Sequence, residues 1–191
     1  MSELARQAAE RLRLAHVTLR PGLSDVEISR AEESFAFTFS DEHRALLTNA
    51  LPVGSGWVDW RDASADVLRG RLEWPVDGVV FDVQNNGFWP ASWGDRPVDH
   101  DERERLAREH LATAPRLVPV YSHRYLPAAP APTPSPVFSL HQTDVIVYGD
   151  DLLDYVAHEF GVGPLHPTAP AELPYIEFWS DLAGGAENNV L

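Results

Sequence analysis

Two residue types are missing from this chain of 191 residues: it contains no cysteine and no lysine. The first absence excludes thiolate nucleophiles, cysteine-ligated zinc and a disulfide framework. The second removes Schiff-base chemistry, Walker-type phosphate loops and lysine general bases. No apolar run approaches the roughly 20 residues that span a bilayer. The opening Met1-Ser2-Glu3-Leu4-Ala5-Arg6 lacks the apolar core of a signal peptide, so a cytoplasmic location is expected. Positive charge is also scarce, with 15 basic residues against 29 acidic ones and a formal net charge of −14. Such a field repels phosphate backbones and anionic lipid, so neither nucleic acid nor membrane is an expected partner, whereas a basic protein would be steered toward it. Solubility alone also accounts for an acidic surface.

What is present suffices for a folded domain. Apolar residues make up 44% of the chain and include 8 Phe, 6 Trp and 5 Tyr, which argues against wholesale disorder. Isoleucine is scarce and Ala, Arg, Pro and Gly are plentiful, as expected of a high-GC bacterium. The length suits one domain over 1–191, with a core of about 23–161, an N-terminal helical stretch over 1–22 and a proline-spaced tail over 162–191. Tyr175, Ile176, Phe178 and Trp179 give that tail reason to pack on the core.

Local patterns predict the elements. Leu4, Ala8 and Leu12 at helical spacing predict a helix from Glu3 to Ala15. Ser24 with Glu27 forms a capping-box pair ahead of Ile28, Ala31 and Phe35. Ser40 precedes a third helix through His43, Leu46, Leu47 and Ala50 that ends before Pro52. Trp57 to Trp60 alternates like a short strand, and Ser64 opens a helix through Leu68 and Leu72 that Pro75 should stop. Gly78 to Val83 is a candidate buried strand leading into a Gln84 to Gly87 turn. Asp99 to Ala114 is an amphipathic helix with Leu106, His110 and Leu111 inward. Strands are expected over Leu117–Tyr121 and Pro136–Leu140, separated by a proline-rich loop, with Val145–Tyr148 pairing back across His141–Asp144. Leu152, Leu153, Val156 and Phe160 form the stripe of a last helix that Gly161 stops. Helices first, then strands mixed with helices, indicate an α+β fold.

The motifs for chemistry are thin. Gly161-Val162-Gly163 runs into Pro164 rather than opening a phosphate-binding helix, and Gly54-Ser55-Gly56 lacks the spacing of a nucleophile elbow. Asp99-His100-Asp101-Glu102 is better explained by the helix dipole than by a metal, and His141 with Asp144 makes only half a site. Carboxylate pairs such as Asp82 with Asp95 or Asp150 with Asp154 have almost no specificity without a fold. No cofactor or metal is expected, and no catalytic set. The informative concentration is aromatic and polar together: Trp57, Trp60, Trp89 and Trp93 in or beside loops, His123-Arg124-Tyr125 after a strand, and His141 at a turn. Trp, Tyr and Arg are the types enriched at binding hot spots, although the same tryptophans could simply close the core. A buried Arg124 would need a carboxylate partner or an exit to solvent.

In order along the chain, Leu23-Ser24-Asp25-Val26-Glu27-Ile28 through Glu32, Phe35-Ala36-Phe37 and Ser40 to Leu47 resemble the opening of the Smi1/Knr4-like, or SUKH, superfamily. Trp57 to Asp62 and Val137 to Gly149 are similar to its members from high-GC bacteria. Leu51-Pro52-Val53-Gly54 and Asp82 to Gly87 stand where the family commonly has glycine-rich turns, and the tryptophan-rich loop with the Asp99 to Ala114 helix lies beyond its minimal pattern. The resemblance implies a mixed, mostly antiparallel sheet flanked by helices and no catalytic residues. It also implies a protein-binding role, since many bacterial relatives are immunity proteins that block toxin domains. The competing readings are a small-ligand binder or unfamiliar enzyme using a Trp/His/Arg pocket, and a structural or regulatory subunit of a larger complex.

Overall fold

The computed structural model describes residues 3–163 and 173–185. The N-terminal part is helical where local signals predict it. Helix α1 (Glu3–Leu14) buries Ala5, Ala8, Ala9 and Leu12 along one stripe. Helix α2 (Asp25–Phe35) begins on the expected capping box: Glu27 N–H donates to Ser24 Oγ at 3.3 Å, and Ser24 N–H donates to Glu27 Oε2 at 2.8 Å. It ends at Ala36, which takes a left-handed conformation. Helix α3 (Asp41–Asn49) follows Ser40, whose backbone is extended as a cap requires but whose hydroxyl makes no cap bond. The chain then enters strand β2 (Ala50–Pro52), which pairs antiparallel with β1 (Leu19–Pro21). Three residues are too few to carry a period, so neither strand was expected from the sequence.

Three expectations for the middle of the chain are corrected. Trp57 to Trp60 forms no strand; Trp57 makes only an isolated bridge to Tyr121. Helix α4 runs unbroken over Ala65–Asn85, through Pro75 and through the Gly78–Val83 run read as a strand. Ser64 caps it as expected, accepting from Val67 N–H. Proline costs a helix its bond to the carbonyl four residues back, here that of Arg71. That carbonyl instead accepts from the Tyr125 hydroxyl at 3.0 Å. The Val79-Val80 and Val83 side chains are buried, and a short buried apolar run fits helix and strand alike.

The second sheet has the order β3 (Leu117–Tyr121), β4 (Arg124–Pro127), β5 (Val137–His141) and β6 (Asp144–Gly149), antiparallel throughout. The β5–β6 hairpin turns where predicted. Strand β4 was not anticipated, while residues 128–136 carry no regular structure, as their prolines require. Helix α5 (His100–Leu111) starts at Asp99, whose carboxylate accepts from Glu102 N–H, and buries Arg103, Ala107 and Leu111. Leu106 and His110, read as inward, are only half-buried. Helix α6 (Leu152–Phe160) ends at Gly161 in a left-handed conformation, and α7 spans Trp179–Ala183.

These elements form an α+β arrangement around the second sheet. One face, with Tyr125, Phe138, Leu140 and Val145, packs on α4, α5 and the segment of Ile176, Phe178, Trp179 and Leu182. The other face supplies Val120, Leu126 and Val137 to a cluster with α1, α3 and α6. A third cluster joins α2, the start of α4 and Trp60. The stretches 164–172 and 186–191 of the predicted tail lie outside the described residues.

Candidate functional site

The residues singled out from the sequence fall in separate places. Trp60 is buried, in edge contact with Phe39 at 5.0 Å and near Phe37 and His43. Trp57 is half-buried, stacked on Phe160 and tilted against Tyr121. Trp89 and Trp93 meet edge to face at 5.2 Å, and Trp93 lies between His110 and Phe178 with nearly parallel planes. Trp89 Nε1 donates to Gly94 O, which closes the loop on itself.

Arg124 is 7% exposed and has the carboxylate partner that burial demands. Its Nε donates to Glu159 Oε2 at 2.9 Å and its Nη1 to Ser139 Oγ at 2.8 Å, while its guanidinium carbon lies 3.8 Å from the Tyr148 ring centroid. The next side chain, Tyr125, points the other way, to the Arg71 carbonyl. Burial pushes its hydroxyl up to about 12. His123 is exposed at the β3–β4 turn, where partial desolvation and the Arg124 charge lower its pKa. Arg124 is thus turned toward α6, whereas His141 lines a groove on α4; the two do not converge.

That groove is flanked by large apolar side chains that the core does not use. On α4 the inward residues are Leu68, Leu72, Pro75, Val79 and Val83. On the outside lie Val67 at 57% exposure, Trp74 at 52% and Phe81 at 48%. Each is seven residues from the next, which places them on one stripe about 10 Å apart along the axis. Gly70 and Gly78 share the stripe: the space above Gly70 is open, whereas Gly78 lies under the Gln142 backbone. The groove holds about 290 Å³ and is lined by Gly70, Trp74, Asp77, Gly78, Phe81, His141 and Gln142.

Its second wall, the β5–β6 turn, is held to α4 by one side chain. Asp82 is buried, and its Oδ2 accepts from Thr143 N–H at 2.9 Å and from Thr143 Oγ1 at 2.6 Å. Its other oxygen takes the Asn86 amide. The carboxylate considered for acid-base work is therefore committed to architecture. Gly78 lets the turn come close: a Cβ there would sit 3.0 Å from the Gln142 Cα. Asp77 on the rim pairs with Arg108 at 3.0 Å through Oδ1.

Of the predicted residues only His141 lines this groove. Trp74 and Phe81 do not stand out in the sequence, because a stop at Pro75 and a strand over the following run split their common spacing. Read as one helix from Ser64 onward, the seven-residue interval of Val67, Trp74 and Phe81 opposite Leu68, Leu72 and Val79 would have exposed a second apolar face. Among the described residues no three His, Asp or Glu side chains gather to hold a metal, and no helix is long and apolar enough to cross a membrane. No protein-family model, no curated protein and no solved structure matches the chain.

Proposed function

We propose that the chain is a non-enzymatic protein-binding module whose partner is a basic protein domain, and that it acts as an immunity protein of the SUKH kind against a toxin. The observation that carries this reading is the pair of half-exposed aromatic rings, Trp74 and Phe81, flanking a groove on a chain of net charge −14. Long-range attraction would bring a cationic surface in. Burying the remaining surface of two aromatic rings would then contribute on the order of 2–4 kcal/mol to holding it. Asp82, weighed for acid-base work, tethers the turn, and Asp99, weighed as a metal ligand, caps α5. Arg124 likewise is part of the packing of α6 on the sheet.

The direct test is growth rescue. Cells expressing a basic toxin domain encoded beside the gene for this chain should survive when the chain is co-expressed, and the two purified proteins should co-elute at about 50 mM salt and separate as salt rises. Absence of both rescue and complex overturns the proposal, as does turnover of a metabolite by the purified chain that is lost on replacing one His or Asp.

A further inference from the structure

We infer, resting on the binding reading above, that the groove between Trp74 and Phe81 receives an arginine side chain of the basic partner. The volume of about 290 Å³ lies just below the ~300–1,000 Å³ range of drug-sized ligand sites and leaves room for one long side chain. Trp74 and Phe81 are half-exposed beside the groove, and guanidinium is the weakly hydrated cation among protein side chains that stacks on aromatic rings. The rim asks for hydrogen-bond donors. Asp77 meets Arg108 through Oδ1 alone, which leaves Oδ2 as an acceptor, and His141 and Gln142 complete the lining. A leucine in the same place would bury those acceptors without partners. A second copy of this chain fits less well, because it also carries −14 and would be repelled on approach.

The test titrates capped tri-arginine, tri-lysine and tri-leucine peptides into the full chain and follows the tryptophan indole N–H resonances. The Trp74 signal is identified by its loss in Trp74→Ala. Tri-arginine should move the Trp74 resonance saturably, about threefold or more tighter than tri-lysine, and tri-leucine should leave it in place. The Trp74→Ala/Phe81→Ala variant alters exposed positions and should keep its melting temperature; its affinity for tri-arginine, read from the turn amides of Gln142 and Thr143, should fall about tenfold. Shifts confined to other surfaces, or equal shifts with tri-arginine and tri-lysine, overturn the assignment. Self-association that Trp74→Ala abolishes would give the groove to a second copy and likewise overturn it. Rescue that is undiminished in the double variant removes the groove while leaving the proposed function; failure of the wild-type chain to rescue removes the function itself.

Discussion

Replacing Glu42 with glutamine should change how stability depends on pH, and by a calculable amount. Glu42 stands in the first turn of α3 at 1% exposure. Its Oε1 accepts from the buried Ser135 N–H at 3.0 Å, and its Oε2 lacks a well-formed hydrogen bond. Burial, with Asp151 and Asp41 adding repulsion, pushes its pKa up to about 7, against the opposing pull of the Ser135 and Leu152 N–H groups. The unfolded chain releases this proton near the ordinary value of 4.5. Between those values the folded state holds a proton that the unfolded state does not, so stability falls as pH rises. Over that interval the loss amounts to about 3 kcal/mol. The neighbouring His43 works in the opposite sense. It is 1% exposed, its Nδ1 has no partner, and burial pulls its pKa down to about 3. Below its ordinary value of 6.5 the unfolded chain takes a proton that the folded chain refuses, so stability falls as pH drops.

In the wild-type chain the two slopes oppose each other between about pH 4.5 and 6.5. Glu42→Gln keeps an acceptor for Ser135 and removes one slope. The variant should therefore gain on the wild type by about 3 kcal/mol between pH 4.5 and 7.5. Any cost of burying the amide nitrogen is the same at each pH, and the surface carboxylates titrate alike in both proteins. Urea unfolding followed by tryptophan fluorescence at half-unit pH steps measures the difference. Profiles that run parallel would show that Glu42 is ionised throughout, and the argument from its burial would fail.

Tyr125→Phe should destabilise the fold by about 1–2 kcal/mol, because it leaves the Arg71 carbonyl without the donor that replaces the one Pro75 lacks. The same change made in a Pro75→Ala background should cost less, since the restored Ala N–H can serve that carbonyl; equal costs in thermal melts would refute the relay. Arg124→Met should cost about 2–3 kcal/mol by stranding the largely buried Glu159 carboxylate. Adding Glu159→Gln should recover much of that in urea unfolding, and strictly additive losses would argue against the pair.

The parts of this fold that were legible in the sequence are those whose causes lie within a few residues. Ser24 with Glu27, Ser64 with Val67 and Asp99 with Glu102 announce helix starts because the cap side chain and the backbone N–H that donates to it are neighbours in the chain. The turn between His141 and Asp144 is equally local, so the β5–β6 hairpin was readable. Helix α4 was not, because the group that lets Pro75 sit inside it is Tyr125, fifty residues away. The Gly78 to Val83 run looked like a strand because nothing in its own composition separates a buried strand from the inner face of a helix. That single misreading hid the candidate site, since Trp74 and Phe81 acquire a common face only when the helix continues. His141 was noticed as a turn residue, yet the carboxylate that carries its turn to the groove, Asp82, was weighed only as a possible acid or base. Trp57, Trp60 and the pair of Trp89 and Trp93 lie at separate packing positions and do not form one cluster, because tryptophan near a loop is a signal of size and not of direction.

The Asp82 tether has a kinetic meaning. A slot whose helical side and turn side are joined by one buried carboxylate is already at its working width before anything enters it. An incoming side chain would then find no gate to open and little chain to freeze, so association would follow a single exponential governed by encounter and not by closure.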